Sequence, residues 1–328
     1  MGEREEGRGY IDLSKNVGCA IAAADSKVKC WPLDADGRRL VSAVGVASRN
    51  LVAARQVRVR GDWMCYLAVE KGDPIRCISA GGDDIKIGPR GVIDVKAIAL
   101  AADYVCGLVQ RPDLVREIQC WNLSTQSYVD GIKKFEAYAV SAEDHRVCGL
   151  LFANKGVGCY DFMTQLRTDI AAWVTTFDPI STLSSTANKT CIASLNRFYC
   201  FDANEARLPP LATEFMAAIT SVGSVVPSEV TSEASPDIDN NGLCVLIWDG
   251  GKKSDVRCTA AELNDIPRSG TTRSKITDWL AISAGAYGIA CGFSQSDSRV
   301  RCWGSNYRAA NFPAPDKSVF TVLITTTS

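Results

Sequence analysis

Fourteen cysteines carry most of the chemistry open to this 328-residue chain. They stand at Cys19 and Cys30, Cys65 and Cys77, Cys106 and Cys120, Cys148 and Cys159, Cys191 and Cys200, Cys244 and Cys258, and Cys291 and Cys302, with internal offsets of 11, 12, 14, 11, 9, 14 and 11. No pair has the Cys-x-x-Cys spacing of a zinc ribbon, and the one histidine cannot complete seven metal sites. Zinc is therefore set aside, and oxidation to disulfides is the chemistry that remains. Disulfides imply an oxidising compartment.

The other reactive groups are sparse. His145, in Glu143-Asp144-His145-Arg146, is the sole imidazole available as a general base, and no nucleophile can be located beside it. The run Asp237-Ile238-Asp239-Asn240-Asn241-Gly242 begins like a calcium loop, with Asp237, Asp239 and Asn241 as ligands. Its ninth and twelfth positions, Val245 and Trp248, supply no side-chain oxygen. Arg60-Gly61-Asp62 spells the tripeptide read by integrins, yet Val59 and Trp63 beside it look buried. Asn122-Leu123-Ser124 and Asn188-Lys189-Thr190 are glycosylation sequons at Asn122 and Asn188, compatible with secretion. No catalytic residue and no cofactor is expected.

The elements that must position the cysteines follow from their period. Successive first cysteines lie 41 to 53 residues apart, the signature of a propeller or solenoid. Two positions after the first cysteine stand Ile21, Leu67, Leu108, Leu150, Ala193, Leu246 and Phe293, and two before the second stand Val28, Ile75, Ile118, Val157, Phe198, Val256 and Val300. Side chains alternate faces along a strand, so each lies on the face of its cysteine. Turn residues such as Lys71-Gly72-Asp73-Pro74 and Asn154-Lys155-Gly156 separate the halves. Each copy is a β-hairpin with one cysteine on each arm, and facing cysteines on antiparallel neighbours are within disulfide reach.

The opposite face is patterned as well. After the second cysteine come Trp31, Ile78, Trp121, Tyr160, Phe201, Thr259 and Trp303. Strands apolar on both faces are buried on both, as in sheets stacked around a ring. Three residues before the first cysteine stand Asn16, Asp62, Asp103, His145, Asn188, Asn241 and Gly288, types that tolerate a left-handed turn. Ile11, Val57, Ile98, Val140 and Leu183, eight before it, mark a preceding strand. Lys29, Arg76, Arg257 and Arg301 precede the second cysteine, where long basic side chains shield apolar surface with their heads in water.

The expected fold is all-β, a seven-bladed β-propeller with one disulfide-stapled hairpin per blade. Residues 1–9 form a flexible tail and residues 10–328 a single propeller. Residues 203–240, with Leu208-Pro209-Pro210 and a Ser/Pro/Glu stretch, read as a surface excursion and the first candidate for a binding loop. Val319 to Ile324 reads as a surplus strand that closes the ring on the N-terminal blade. The start Met1-Gly2-Glu3-Arg4-Glu5-Glu6 lacks the apolar stretch of a secretory signal, so the expectation is an ectodomain from which the signal has been removed.

The last copy, Ala290-Cys291-Gly292-Phe293 with Val300-Arg301-Cys302-Trp303-Gly304-Ser305-Asn306, resembles a repeat of the regulator-of-chromosome-condensation superfamily. With its paired cysteines it is similar to the crinkly repeats in the ectodomains of Crinkly-type plant receptor kinases. Cys106-Gly107-Leu108 to Cys120-Trp121-Asn122 and Cys148-Gly149-Leu150 to Cys159-Tyr160 echo it. The resemblance implies partner binding on a propeller face.

A net charge of -1 offers no footprint for nucleic acid, and no apolar run reaches the eighteen or so residues of a membrane span. The expected function is an extracellular, non-enzymatic recognition module such as a receptor ectodomain, binding a protein, peptide or glycan on a propeller face. The alternatives are a secreted lectin, or a propeller hydrolase or lyase with carboxylates such as Asp83 and Asp84 meeting at the channel mouth.

Overall fold

The computed structural model describes residues 11–170 apart from 15, 23–25, 34, 48–50, 70–73, 90, 92, 133–134, 144 and 152–155. Beyond them it describes the segments 180–185, 189–194, 197–202, 222–227, 243–248, 254–258, 279–285, 289–294 and 299–303. Among these residues the chain forms seven antiparallel sheets, three of four strands and four of three. The first holds β1 (Ile11–Leu13), β2 (Val17–Ile21) and β3 (Val28–Pro32), and is followed by helix α1 (Arg38–Ala47). The second holds β4 (Ala54–Arg60), β5 (Trp63–Ala68), β6 (Ile75–Ser79) and β7 (Asp84–Ile87). The third holds β8 (Asp94–Leu100), β9 (Tyr104–Gln110), β10 (Arg116–Asn122) and β11 (Ser127–Tyr128). The fourth holds β12 (Ala137–Glu143), β13 (Arg146–Leu151), β14 (Val157–Asp161) and β15 (Arg167–Ile170). Three-stranded sheets follow: β16 (Ile180–Ser185), β17 (Lys189–Ser194) and β18 (Arg197–Asp202); β19 (Val222–Pro227), β20 (Leu243–Trp248) and β21 (Ser254–Cys258); and β22 (Trp279–Gly285), β23 (Ile289–Ser294) and β24 (Arg299–Trp303).

Within each sheet the strands pair in chain order, so each is an up-and-down meander. The chain is all-β apart from α1 and one short 3-10 turn among the described residues. The first strand of each sheet packs against the first strand of the next, from β1 through β4, β8, β12, β16 and β19 to β22, and β22 packs back on β1.

The cysteines sit opposite one another in the second and third strands of every sheet, from Cys19 facing Cys30 to Cys291 facing Cys302. Disulfides join Cys19–Cys30, Cys65–Cys77, Cys106–Cys120, Cys148–Cys159 and Cys291–Cys302, with Cα atoms 4.0 to 4.1 Å apart. The sulfurs of the pairs 191/200 and 244/258 lie outside the described side chains.

Each of the five described staples lies between sheets rather than in the middle of one. Cys65 and Cys77 share a cluster with Val105, Val109 and Trp121 of the third sheet, and Cys106 and Cys120 share one with Val147 and Tyr160 of the fourth. Cys291 of the last sheet packs in one cluster with Trp31 of the first. The residue after the second cysteine of one sheet therefore lies against the staple of the sheet before it. Glycine after the first cysteine makes room for this stacking. A Cβ on Gly107 would lie 3.1 Å from Cδ1 of Ile75, and one on Gly149 would lie 2.6 Å from Cδ1 of Ile118, both in the preceding sheet.

Two sequence expectations change, and one element is new. The turn residues Asn16, Asp62, Asp103 and His145 do not take positive φ; at the second turn Gly61 does. Their shared task is to offer a backbone carbonyl to the N–H three residues past the second cysteine, at Leu33, Ala80, Leu123 and Phe162. The segment read as a surface excursion contains β19, the first strand of the sixth sheet, because Val222 and Val225-Val226 form a β-run hidden in Ser/Pro-rich surroundings. The remainder of 203–240 lies outside the described residues. Helix α1 was not anticipated; it follows β3 where a fourth strand stands in the next three sheets. β1 packs against β22, and Val319–Ile324, read as a ring-closing strand, lies like residues 1–9 outside the described residues.

Candidate recognition surfaces

A ring of meanders has two rims. On one rim each first strand begins and each cysteine hairpin turns. On the other lie the turn into the second strand and the turn after the third.

At the first rim the first strands share a defect. Register shifts by one residue near the start of β4, β8, β12, β16 and β22, at Arg55, Lys96, Tyr138, Ser181 and Leu280. Such bulges bend a strand and re-aim its side chain. Two of these residues meet: Arg55 Nη2 lies 2.9 Å from Asp94 Oδ1, and Lys96 Nζ lies 3.0 Å from Asp94 Oδ2. Arg55 also donates to the carbonyl of Val95. Burial raises the Asp94 pKa, but the hydrogen bonds and charges of Lys96 and Arg55 outweigh it and hold the carboxyl below its usual range. Burial alone pushes the Tyr138 hydroxyl up.

Deeper in the ring, first strands are joined by side chains rather than by a ladder. Their free-edge N–H groups still need acceptors. Asp12 Oδ2 accepts from Val59 N–H at 2.8 Å, Gln56 Oε1 from Ile98 N–H at 2.7 Å, and Ser283 Oγ from Leu13 N–H at 3.1 Å. Arg58 Nε donates to the Ile98 carbonyl at 3.2 Å. Burial pushes the Asp12 carboxyl above its usual range despite Arg58, Arg60 and two backbone N–H groups.

The second rim carries a hydrogen-bonded carboxylate. Asp161 accepts from the N–H groups of Met163 and Thr164 and lies 3.1 Å from His145 Nε2. Burial raises the Asp161 pKa, but these donors and His145 prevail and lower it. Tyr104 stacks on Phe162 with ring centroids 3.9 Å apart.

The remaining candidate residues fall as follows. His145 belongs to the turn into β13 and is tied to Asp161. Asp83 and Asp84 do not meet at a channel mouth: they lie at the turn into β7, the strand farthest from β4 in its sheet, and Asp83 Oδ2 accepts from Ser79 Oγ at 2.6 Å. Gly61 and Asp62 are exposed at the β4–β5 turn, while Arg60 is half-buried. Asn122 ends β10, its Oδ1 accepting from the N–H of Thr125 at 2.8 Å. Lys29, Arg76 and Arg301 are half-buried, as snorkelling side chains are. Asn188, Asp237, Asp239 and Asn241 lie outside the described residues. Among the described residues, no three His, Cys, Asp or Glu are grouped to hold a metal ion. The bulge residues were missed, although four of them, Arg55, Lys96, Tyr138 and Ser181, stand ten positions before a first cysteine.

No family model matches the chain, and no curated protein matches it. Solved structures do. The CRINKLY WD40 ectodomain of the receptor kinase ACR4 from Arabidopsis thaliana is 20% identical, over 77% of this chain and 79% of that one, with a TM-score of 0.51. The entire ectodomain of the receptor kinase CR4 from Physcomitrella patens is 18% identical, over 90% and 72%, with a TM-score of 0.54. Human WBSCR16 is 9% identical, over 90% and 89%, with a TM-score of 0.57. At these identities the likeness is one of fold: an all-β propeller architecture.

Proposed function

We propose that the chain is an extracellular, non-enzymatic recognition module: a seven-bladed propeller, one disulfide-stapled hairpin per blade, that binds a ligand on one rim. The observation that carries this reading is the placement of the staples. Buried disulfides at successive inter-blade contacts belong to a protein matured in an oxidising compartment. The fold shared with two receptor-kinase ectodomains supports a receptor setting. His145, held by Asp161, and Asp83, held by Ser79, have structural roles that favour binding over catalysis. No helix among the described residues is long and apolar enough to cross a membrane.

Mass spectrometry of the intact, unreduced protein from its native source tests the compartment. The expected result is full oxidation of all fourteen cysteines with glycan at Asn122 or Asn188. Free thiols would overturn the extracellular reading. Arrays of glycans and secreted peptides then test recognition itself.

A further inference from the structure

Six large apolar residues are exposed among the described ones, and they are not scattered. Val69, Ile93 and Leu114 lie on the rim where first strands begin: Val69 N–H donates to the carbonyl of Ala53 just before β4, and Ile93 N–H to that of Gln110 at the end of β9. Leu114 sits at the tip of the β9–β10 turn with φ of 67°. Val46 belongs to the end of α1, from which the chain runs to Leu51 and into β4 on the same rim. They are 60%, 61%, 70% and 79% exposed in the order Val69, Ile93, Leu114, Val46. The other two, Met163 and Leu166, share the β14–β15 turn on the opposite rim. Clustered exposed apolar residues mark interaction sites where single ones do not.

The bulges connect this patch to charge. Arg55 follows Ala53 and Ala54, Asp94 follows Ile93, and the two are paired at 2.9 Å. Apolar residues of the second and third sheets thus adjoin one polar seat. That seat holds two cations, Arg55 and Lys96, around one carboxylate, Asp94, all partly exposed. Among the described residues this leaves one positive charge in excess beside Ile93. Farther out, Arg111 is already matched by Asp113 and Glu117.

We infer that the ligand docks on this rim, across the second and third blades, and that it is a peptide with apolar side chains and an acidic residue. The apolar groups cover Val69, Ile93 and Leu114, and the carboxylate sits on the Arg55–Lys96 pair. This rests on the recognition reading above and adds the face and ligand class.

The test pans a phage-displayed library of random short peptides on the oxidised protein and titrates an enriched peptide against variants. The expected peptides combine apolar residues with Asp or Glu. Their affinity falls roughly tenfold or more in the double variant Ile93→Ser, Leu114→Ser. It falls in Lys96→Gln with a weaker salt dependence, and it holds in Met163→Ser, all at unchanged melting temperature. Peptides indifferent to the first three substitutions but sensitive to Met163→Ser would overturn the face and leave recognition standing. Enrichment of peptides without acidic residues, or binding to a glycan array with no peptide enriched, would overturn the ligand class. Silence in both screens would remove the recognition reading together with this one.

Discussion

At the scale of single residues, a cysteine's neighbours matter as much as its bond. The spacing of the pairs made the hairpins legible, since facing cysteines on adjacent strands need only period two and a turn. That the cysteine face would meet a neighbouring sheet followed from strands apolar on both faces, but which residues of that sheet would cover the staple was not legible, because a repeat pattern says nothing of what the next repeat presents. Gly149 shows the consequence. A methyl there would meet Cδ1 of Ile118 at 2.6 Å and Cβ of Ala137 at 2.9 Å, whereas on Gly107 it would meet a single side-chain end at 3.1 Å. Overpacking a tight core costs about 1–3 kcal/mol. Gly149→Ala should therefore lower the denaturant midpoint, and Gly107→Ala should lower it less, because Ile75 can shift and Ala137 cannot. Equal midpoints would contradict this account of the glycines. Asp12 offers a prediction with a pH sign. Its pKa is raised in the folded state, so its contribution to stability is full below the ordinary carboxylate pKa and is lost as pH rises through the folded value. Asp12→Asn retains an oxygen for the N–H of Val59 and removes the charge. The variant should melt above the wild type at neutral pH, and the gap should close below about pH 4. A gap independent of pH would exclude differential titration of Asp12.

At the scale of elements, the parts that escaped sequence reading are those the cysteine frame could not index. Helix α1 carries Leu40, Val41, Val44 and Ala47 at helical spacing, a signal that was present but lay between two hairpins already accounted for. Leu40 and Val44 are buried with Val17, Val28 and Ile78, so the helix spans the joint between first and second sheets. Gly37 precedes it because a Cβ there would overlap the carbonyl oxygen of Asn16. Strand β19 was masked by the composition around it, and the bulges by counting back from cysteines along strands assumed regular. The helix can be tested alone. Leu40→Ala should destabilise the protein by about 2–5 kcal/mol, the usual range for truncating a buried leucine. Hydrogen exchange should quicken first in α1 and β3. A loss below 0.5 kcal/mol, the order expected of a surface change, would mean that α1 is not part of the joint.

At the scale of the whole molecule, a stack of stapled hairpins must still decide whether it is a ring. Each disulfide closes a local loop and ties no sheet to its neighbour, so cohesion between sheets rests on apolar stacking and on the side chains that cap first-strand N–H groups. Where β22 meets β1 these are Cys291 and Val300 against Ile11, Leu13 and Trp31, together with the Ser283 hydroxyl on the N–H of Leu13. Ser283 is buried, so Ser283→Ala leaves a buried donor without its acceptor, a loss of about 1–3 kcal/mol. If that seam is where the ring opens, the cost should appear locally. Amides of Ile11–Leu13 and Ile289–Ser294 should exchange on the order of tenfold faster in the variant. Those of Tyr104–Gln110, on the third sheet, should keep their wild-type rates, because the stacks around them do not depend on the seam. Uniform acceleration in every sheet would instead mean that the sheets open as one cooperative unit, and that no contact between neighbours is weaker than the rest.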